Sequence, residues 1–283
     1  MKKKLEFRTQ RNIKANRTRK LLLGFILFFL LLIALVAVWF IKYIDNDFSN
    51  IFSKKEETTA AEDETLPDKD YSGFYYILFC GAQDDAKTND KIRYIVLMKT
   101  DILQKIISFS AVSPDEVVTV GDTTRSREQY YDDGGISRLR SALETLEEIR
   151  ISAYVLSDDE GFDDAVNAMG FVSIDVPEQI SYRSDEFNFI CAKGKKNFRG
   201  ADLLKYLRYC HETEPYGLKT QEDIFAAMLK QYLTPRSAER ADYYYERVID
   251  HIRSDITVMV FSDYKPVLNY LTSGDGYTVW VSD

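Results

Sequence analysis

Two hydrophobic patterns alternate along the chain after residue 70. Short runs rich in β-branched and aromatic residues are typical of strands, and longer segments with apolar residues three or four positions apart are typical of helices. The short runs predict strands at residues 74–80, 92–98, 105–112, 152–157, 172–176, 256–261 and 277–281. The longer spacing predicts helices at residues 136–149, 162–168, 201–209, 221–233, 241–253 and 264–271.

This alternation predicts an α/β fold, because strands and helices that follow one another in the chain pack as layers. We expect a layered α/β domain with a central mixed sheet flanked by helices. In the helix predicted at residues 136–149, Leu139, Leu143 and Leu146 share one face that would cover the sheet. The chain shows no internal repeat, and its length after residue 70 suffices for one large domain.

A different pattern precedes this domain. Residues 21–41 form an uncharged apolar run between Lys20 and Lys42, long enough to span the ~30 Å hydrocarbon core of a bilayer as a helix. A cleaved signal peptide is the alternative, but its apolar core is only ~7–15 residues long and a small-residue cleavage site follows it. Because this run is longer and ends in large side chains, we expect an uncleaved anchor.

The charges on either side of the run predict its orientation. Residues 1–20 carry nine basic side chains and one acidic side chain, which keeps such a tail in the cytoplasm. The whole chain has a net charge of −8 and the tail +8, so the remainder carries −16. An acidic exterior domain argues against nucleic acid as a partner, whereas a basic tail beside a membrane span suits anionic lipid headgroups.

These patterns divide the chain into four predicted segments. They are a basic cytoplasmic tail at residues 1–20, a transmembrane helix at residues 21–42, a flexible linker at residues 43–70 and an extracytoplasmic domain at residues 71–283. The linker is assigned from its high content of charge, Thr and Ala. We therefore expect a single-pass protein of the cell membrane with its main domain outside.

Cysteine and histidine limit the chemistry of the domain. The three cysteines are too few and too scattered for a disulfide framework, and no Cys-x-x-Cys pair exists. Cys80 and Cys191 each end an apolar run, so we expect buried, unreactive side chains there rather than a catalytic thiol. With only His211 and His251 in the chain, a site built from three or more histidines is excluded.

Several motifs occur in a specific succession within residues 132–178. They are Asp133-Gly134-Gly135, Leu143-Glu144-Thr145-Leu146-Glu147, Glu160-Gly161-Phe162 and Ile174-Asp175-Val176-Pro177-Glu178. The segment resembles the middle of a LytR-CpsA-Psr domain. Further matches to that family are Ile77-Leu78-Phe79-Cys80-Gly81, Asn89-Asp90-Lys91-Ile92 and residues 200–208. The family's short cytoplasmic tail, single span and extracytoplasmic α/β domain agree with the predicted segments.

The resemblance implies attachment of glycopolymers to the cell wall. Members of the family bind a polyprenyl-pyrophosphate-linked glycan, usually with Mg²⁺, and transfer the phosphoglycan to peptidoglycan. Arginines suit the pyrophosphate because they donate paired hydrogen bonds, and carboxylates hold a magnesium ion that bridges phosphate oxygens. The implied partners are the membrane, a polyprenyl-phosphate lipid or glycan, and active paralogues of the family.

The candidate site residues come from the resemblance, except that Lys91 and Arg93 are candidates by their charge. The candidate catalytic residues are Asp90 and Arg208, and the candidate metal ligands are Asp84, Asp85 and Asp90. The candidate substrate-binding residues are Arg208, Lys219, Lys91 and Arg93. Structural roles stay open beside these, because aspartates in a polar loop are often solvated turn residues and Arg208 near a helix C-terminus favours the helix dipole.

The sequence departs from the family mainly at arginines. Thr88 and Cys210 stand where members have arginine, residues 111–115 lack the arginine that follows the third strand, and Gln83 stands at the first aspartate. The family's Asp-x-x-Arg and Arg-Gln pattern has become residues 215–221, which end in Gln221. We therefore favour a protein of envelope or exopolysaccharide assembly with a degenerate catalytic site. A divergent but active phosphotransferase and a structural subunit of a membrane complex are the alternatives.

The charge asymmetry around residues 21–41 generates a prediction about topology. Protease added to intact protoplasts should digest residues 71–283 and spare the N-terminal tail, because only the domain is expected outside. Immunoblotting with one tag at each terminus measures the outcome. Protection of the whole chain, with digestion after lysis, would overturn the assigned orientation.

Overall fold

The computed structural model describes residues 66, 71–83, 91–185, 187–213 and 215–281. The predicted tail, transmembrane helix and nearly all of the linker lie outside these residues. Within the described part, no helix combines the length and the apolar composition that a membrane crossing requires.

The described elements alternate between strands and helices, as the sequence pattern predicts. The strands are β1 (Phe74–Gln83), β2 (Lys91–Asp101), β3 (Ile106–Val112), β4 (Val117–Val120), β5 (Thr123–Ser126), β6 (Ile151–Ser157), β7 (Val172–Val176), β8 (Ile180–Arg183), β9 (Asn188–Cys191), β10 (Gly194–Phe198), β11 (Arg253–Ser254) and β12 (Thr278–Val281). The α-helices are α1 (Arg127–Leu146), α2 (Asp159–Met169), α3 (Gly200–Glu212), α4 (Tyr216–Tyr232), α5 (Pro235–Glu239), α6 (Ala241–Val248) and α7 (Val258–Thr272), and a 3₁₀ turn spans Ile249–His251.

A six-stranded mixed sheet lies at the centre, in the order β11-β6-β1-β2-β3-β12. Strand β1 pairs parallel with β6 and antiparallel with β2, and β3 pairs antiparallel with β2 and parallel with β12. Three further two-stranded sheets pair β10 with β7, β4 with β5 and β8 with β9. The predicted mixed sheet is confirmed.

Helices cover both faces of the sheet. On one face, Leu139 and Leu143 of α1 are fully buried with side chains of β1, β2 and β6. On the other face, the larger core cluster unites the sheet with α2, α3, α4 and α7. Burial of aliphatic and aromatic side chains on both faces is the main force that holds such layers together.

One predicted strand is wrong. The β-branched content of residues 256–261 predicts extended backbone, but Val258 begins α7 and β11 ends at Ser254. The Thr257 hydroxyl accepts a hydrogen bond from the backbone N–H of Val260 at 3.3 Å, so it caps the helix where the apolar run favoured a strand. The helix predicted at residues 241–253 is likewise shorter, because α6 ends at Val248.

The strand directions bring several chain segments to one edge of the sheet. Because β6 runs parallel to β1, while β2 runs antiparallel to both β1 and β3, strands β1, β3 and β6 end at the same edge where β2 begins. We call this the carboxyl edge. The first turn of α2 follows β6 there, and Glu222 of α4 accepts a hydrogen bond from the backbone N–H of Ala111 at 2.9 Å near the end of β3.

A β-bulge in β2 lies beside this edge. Tyr94 pairs with Gly81 and Ile92 pairs with Ala82, so Arg93 is an extra residue opposite β1. Bulges re-aim side chains and often occur beside functional sites. A Cβ atom at Gly81 would lie 2.2 Å from the Tyr94 ring, so the glycine provides the space that the ring occupies.

This contact predicts a strong effect of Gly81→Ala. The added methyl group must displace the Tyr94 ring, and overpacking of this kind costs about 1–3 kcal/mol of the free energy of unfolding. Urea unfolding measures the change, with Ser110→Ala on the exposed side of β3 as the control. In a Tyr94→Leu background the cost of Gly81→Ala should shrink, and equal costs in both backgrounds would contradict the proposed clash.

Candidate functional site

Three charged side chains interact electrostatically near the carboxyl edge. Arg93 comes from the bulge in β2, Asp159 from the first turn of α2 and Arg208 from the last two turns of α3. Both guanidinium groups lower the pKa of the Asp159 carboxyl, although burial has the larger effect and raises that pKa overall. Arg93 is only 4% exposed. The edge therefore holds two cations around one partly desolvated carboxylate.

Local interactions fix these positions. The Asp158 carboxylate accepts a hydrogen bond from the backbone N–H of Gly161 at 2.7 Å, which starts α2 directly after β6. At Gly200 an added Cβ would lie 2.4 Å from the backbone of Asp163, so α3 begins in close contact with α2. The Arg208 guanidinium carbon lies 4.7 Å from the centre of the Phe187 ring, a cation–π contact that orients it.

An apolar channel runs between the sheet and the helices that pack on it. It consists of three adjoining cavities of about 320, 320 and 190 Å³, which share lining residues. The first two share Met169, Leu229, Tyr232, Tyr244, Val248 and Ile252, and the third joins them through Met98, Ile256, Phe261 and Leu268. The lining is almost entirely aliphatic and aromatic, so the channel suits a long hydrocarbon chain.

The channel also contains a polar part. Tyr94 and Ser157 line it, and the hydroxyl oxygens of these two residues lie 3.0 Å apart in a hydrogen bond. Tyr94 directly follows Arg93, and Ser157 precedes Asp159 by two residues. The channel thus passes from hydrocarbon side chains to two hydroxyls, and the elements that carry these hydroxyls also carry Arg93 and Asp159.

Gln221 of α4 adds a polar group on the same side. It is fully buried, and neither its amide nitrogen nor its amide oxygen has a hydrogen-bond partner among the described residues. It lies one turn before Phe225, whose ring is 5.5 Å from the Tyr94 ring. An unsatisfied buried amide costs about 1–3 kcal/mol, so a bound polar group would relieve it.

The structure brings together only some of the predicted site residues. Arg93 and Arg208 both act electrostatically on Asp159, as described. Lys219 lies in the first turn of α4, where its ammonium group is 3.2 Å from the Asp223 carboxylate in an exposed ion pair. The backbone of Lys91 pairs with Gln83 at the start of β2. The remaining predicted residues, Asp84, Asp85 and Asp90, lie outside the described residues.

The predicted metal site therefore stays a prediction. Among the side chains that the structure describes, no three from His, Cys, Asp and Glu form a group that could hold a metal ion. The three candidate ligands belong to residues 84–90, which follow β1 and precede β2 in the sequence.

The loop after β3, where the family's arginine is missing, is held by an arginine from elsewhere. Arg127 at the start of α1 donates hydrogen bonds to the carbonyl oxygen of Ser113 at 3.1 Å and to the Glu116 carboxylate at 2.5 Å. Its side chain is nearly buried. Arg127 therefore stabilises the loop that ends β3, and the charge of its guanidinium is matched by Glu116.

Sequence analysis missed Asp159, Tyr94, Ser157 and the role of Gln221. Asp159 has the pattern of an ordinary acid in a helix first turn, and Tyr94 is one of several aromatic residues in an apolar strand. Only the match of Gln221 to the family's Arg-Gln pattern was a usable signal. The residues that form the bulge do not predict it, although the bulge positions Arg93 and Tyr94 beside the carboxyl edge.

The expectation for the cysteines is confirmed. Cys80 is 1% exposed and Cys191 is also buried, and burial raises the pKa of both thiols away from the reactive thiolate. Cys210 is buried as well, and none of the three cysteines forms a disulfide with another described residue. A cysteine nucleophile has no support in this arrangement.

Comparison with known proteins agrees with the fold and the motifs. The model of the LytR_cpsA_psr family matches residues 42–275. The chain belongs to the LytR-CpsA-Psr family. This assignment places it among the cell-wall glycopolymer transferases as a family, and it confirms the resemblance found in residues 132–178.

Individual relatives of the LytR-CpsA-Psr family are distant. The polyisoprenyl-teichoic acid–peptidoglycan teichoic acid transferase TagV of Bacillus subtilis is 25% identical over 196 residues, which are 65% of this chain and 50% of the relative. The chain spans about half the length of the curated relatives it matches. The crystal structure of B. subtilis TagV is similar with a TM-score of 0.60 at 20% identity, covering 74% of this chain and 84% of TagV. A structure of TagT bound to LI-WTA is similar with a TM-score of 0.54 at 14% identity, covering 79% of this chain and 84% of TagT.

The charged cluster predicts a pH dependence of anion binding. Because burial raises the pKa of Asp159, more of this carboxyl is neutral near pH 5 than in an exposed aspartate. The ionised form competes with an added anion for Arg93 and Arg208. The affinity for inorganic pyrophosphate should therefore rise, relative to that of a variant without the carboxylate, as the pH falls from about 7 to about 5.

Asp159→Asn serves as the reference in this experiment. It should bind pyrophosphate more tightly than the unmodified protein near pH 7, and the difference should narrow toward pH 5. Isothermal titration calorimetry gives both affinities at each pH. Their ratio at one pH is independent of the protonation of pyrophosphate itself. Weaker binding by Asp159→Asn at every pH would show that the carboxyl supports the anion instead.

Proposed function

We propose that the protein is a membrane-anchored member of its family that binds a polyprenyl-phosphate-linked glycan during envelope or exopolysaccharide assembly. One observation supports the proposal: the apolar channel reaches Tyr94 and Ser157, and Arg93 and Asp159, which follow closely in the sequence, belong to the charged cluster at the carboxyl edge. The isoprenoid chain would lie in the channel, and the phosphate would lie between Arg93 and Arg208. Anchoring would come from residues 21–42, whose apolar run precedes the domain.

Each part of the ligand has a matching group in this arrangement. Burial of isoprenoid carbons in the channel would contribute through the hydrophobic effect. The guanidinium groups would donate charge-assisted hydrogen bonds to phosphate oxygens, and the amide of Gln221 would gain the hydrogen bonds that it lacks. The teichoic acid transferases among the relatives act on polyisoprenyl-linked substrates by name, which supports the same class of ligand here.

We further propose that the catalytic site is degenerate. Phosphoryl transfer depends almost entirely on positioning and on stabilisation of charge, and this chain lacks family arginines at Thr88, Cys210 and in the loop after β3. The protein would then hold the lipid-linked glycan, or present it to active paralogues. Mg²⁺ belongs to the proposal only through Asp84, Asp85 and Asp90.

One observation favours the second candidate, a divergent and active phosphotransferase. The bulge in β2 brings the Arg93 guanidinium to the carboxyl edge from a strand position, so the edge holds more positive charge than the family motifs alone suggest. In that case Asp90 and Arg208 would be catalytic. A purely structural subunit has less support, because such a role needs neither the channel nor the arginines.

A series of isoprenoid ligands tests the binding proposal. Dimethylallyl, geranyl, farnesyl and geranylgeranyl pyrophosphate differ only in chain length, and each buried CH₂ contributes up to about 0.8 kcal/mol. Affinity of the full-length protein in detergent should therefore rise with chain length and then level off when the channel is full. Calorimetry gives the affinities, and a chain-length-independent affinity would contradict the assignment of the channel.

Arginine variants test the polar end in the same assay. Arg208→Gln should weaken farnesyl pyrophosphate binding by about ten- to a hundred-fold, since a charge-assisted hydrogen bond contributes about 1.5–3 kcal/mol. Arg93→Lys keeps a charge at the buried position and should weaken farnesyl pyrophosphate binding less than Arg93→Gln does. The control is Arg125→Gln, which removes an arginine that pairs with Asp133 on the surface.

Transfer measurements distinguish the two candidate functions. With a lipid-pyrophosphate glycan and peptidoglycan, we expect binding without appreciable turnover, with or without Mg²⁺. Metal-dependent turnover that Asp90→Ala or Arg208→Ala abolishes would establish the divergent enzyme. Introducing Thr88→Arg, Ser113→Arg and Cys210→Arg together should strengthen pyrophosphate binding if the lost charges caused the degeneration.

A further inference from the structure

A groove of about 280 Å³ lies on the sheet face opposite the apolar channel. Phe74, Lys99, Asp101, Ile106, Ser108 and Trp280 line it. Helix α1 covers the other half of this face, where its buried cluster includes side chains of β1, β2 and β6. Among the described elements, none covers the half formed by β3 and β12, and Ser110 in the middle of β3 is exposed there.

The strand register places the lining side chains in two rows across the sheet. Trp280 pairs with Ser108, which pairs with Lys99 on its other side. In the neighbouring row, Ile106 pairs with Asp101, which pairs with Phe74. Because side chains two residues apart on a strand point to the same face, both rows open into one groove. Its shape is therefore set by backbone pairing rather than by loops.

The side walls of the groove are aromatic and exposed. Trp280 is 60% exposed and Phe74 is 53% exposed, although large aromatic side chains are on average well buried. The Lys99 ammonium group lies 3.7 Å from the centre of the Phe74 ring and is held there by a cation–π contact. An exposed indole beside fixed polar groups presents a flat apolar surface next to hydrogen-bonding partners.

The charge of the groove indicates the class of ligand. It contains one cation, Lys99, one anion, Asp101, and the hydroxyl of Ser108, so its net charge is zero and it offers both donors and acceptors. A neutral, hydroxyl-rich ligand with an apolar face matches this set, whereas a polyanion would gain little. A pyranose ring has that composition, because its C–H groups form an apolar face and its hydroxyls lie around the rim.

We propose that this groove binds a neutral glycan chain, with a sugar ring stacked on Trp280 and hydroxyls bonded to Lys99, Asp101 and Ser108. Its volume is just below the ~300–1,000 Å³ of pockets for drug-sized molecules, which suits one or two sugar units of a longer chain. The site is separate from the proposed lipid site, since it lies on the other face of the sheet. Trp280 also lies beyond residues 42–275, the part that matches the family model.

A bilayer surface fits the groove less well. Membrane-interface patches combine aromatic side chains with cations and avoid carboxylates, but Asp101 and Ser108 lie in the centre of this groove. The Asp101 carboxylate also accepts a hydrogen bond from the backbone N–H of Gln104 at 2.9 Å, which fixes it in place. A glycan uses these polar groups, and a membrane would have to desolvate them.

Tryptophan fluorescence tests the proposal directly, because the chain contains only Trp39 and Trp280. Trp39→Phe leaves Trp280 as the single indole reporter. The full-length variant, held in a sugar-free detergent, is titrated with chitotetraose and with maltotetraose. We expect a saturable change in Trp280 emission with at least one of them, and no saturable change with either would overturn the proposal.

Variants in the same background locate the site. Lys99→Met keeps the length of the side chain but removes the donor, and it should weaken binding about five- to ten-fold, the size expected for one hydrogen bond. Ser110→Ala, an exposed change on the same strand as Ser108 but outside the groove, should leave the affinity unchanged. Equal affinities for both variants and the parent would place the sugar elsewhere and contradict the proposal.

Two further measurements distinguish a glycan site from a membrane contact and from the lipid site. Proteoliposomes made with brominated phosphatidylcholine would quench Trp280 fluorescence if the groove faced the bilayer. Strong quenching without a fluorescence response to sugar would show that the groove contacts the membrane and would overturn the glycan proposal. Arg208→Gln, which is expected to weaken lipid pyrophosphate binding, should leave the tetrasaccharide titration unchanged. Failure of the lipid proposal and failure of the glycan proposal are therefore distinguishable.

Discussion

The contact of the Tyr94 ring with Gly81 is the constraint on which the candidate site depends. It lies at the bulge in β2, and the same irregularity leaves Arg93 as the extra residue. The ring extends toward Ser157 and closes the polar end of the channel, while the arginine joins Asp159 at the carboxyl edge. A regular pairing of β1 with β2 would alternate these two side chains to opposite faces of the sheet.

Much of the fold could be predicted from the sequence, because burial on a sheet or helix face leaves a periodic signal. The spacing of Leu139 and Leu143 predicts that they share one face of a helix, and both side chains are fully buried. The strand prediction at residues 256–261 is wrong for a local reason. The cap at Thr257 starts a helix, although the β-branched side chains that follow favour a strand. The short hairpins such as β4 with β5 were missed, because four residues carry too little pattern.

The site was less predictable than the fold because it depends on register and on contacts between distant segments. Arg93 is a substrate-binding candidate by its charge, and the structure supplies the reason why it reaches the carboxyl edge. Asp159 acquires its significance from neighbours that are far away in the sequence, so no local motif marks it, whereas Gln221 is marked only by its match to the family's Arg-Gln pattern. Missing family arginines are visible in the sequence, whereas charge brought in by a bulge is not.

Binding and catalysis make different demands on this edge. A lipid phosphate is held by burial of its chain together with a few charge-assisted hydrogen bonds, and the channel with Arg93 and Arg208 offers both. Phosphoryl transfer must in addition stabilise the charge of the transition state, which further cations would do. Asp159 reduces the positive charge that Arg93 and Arg208 can offer, because its ionised form interacts with both guanidinium groups. These different demands are the physical reason why we propose binding without transfer.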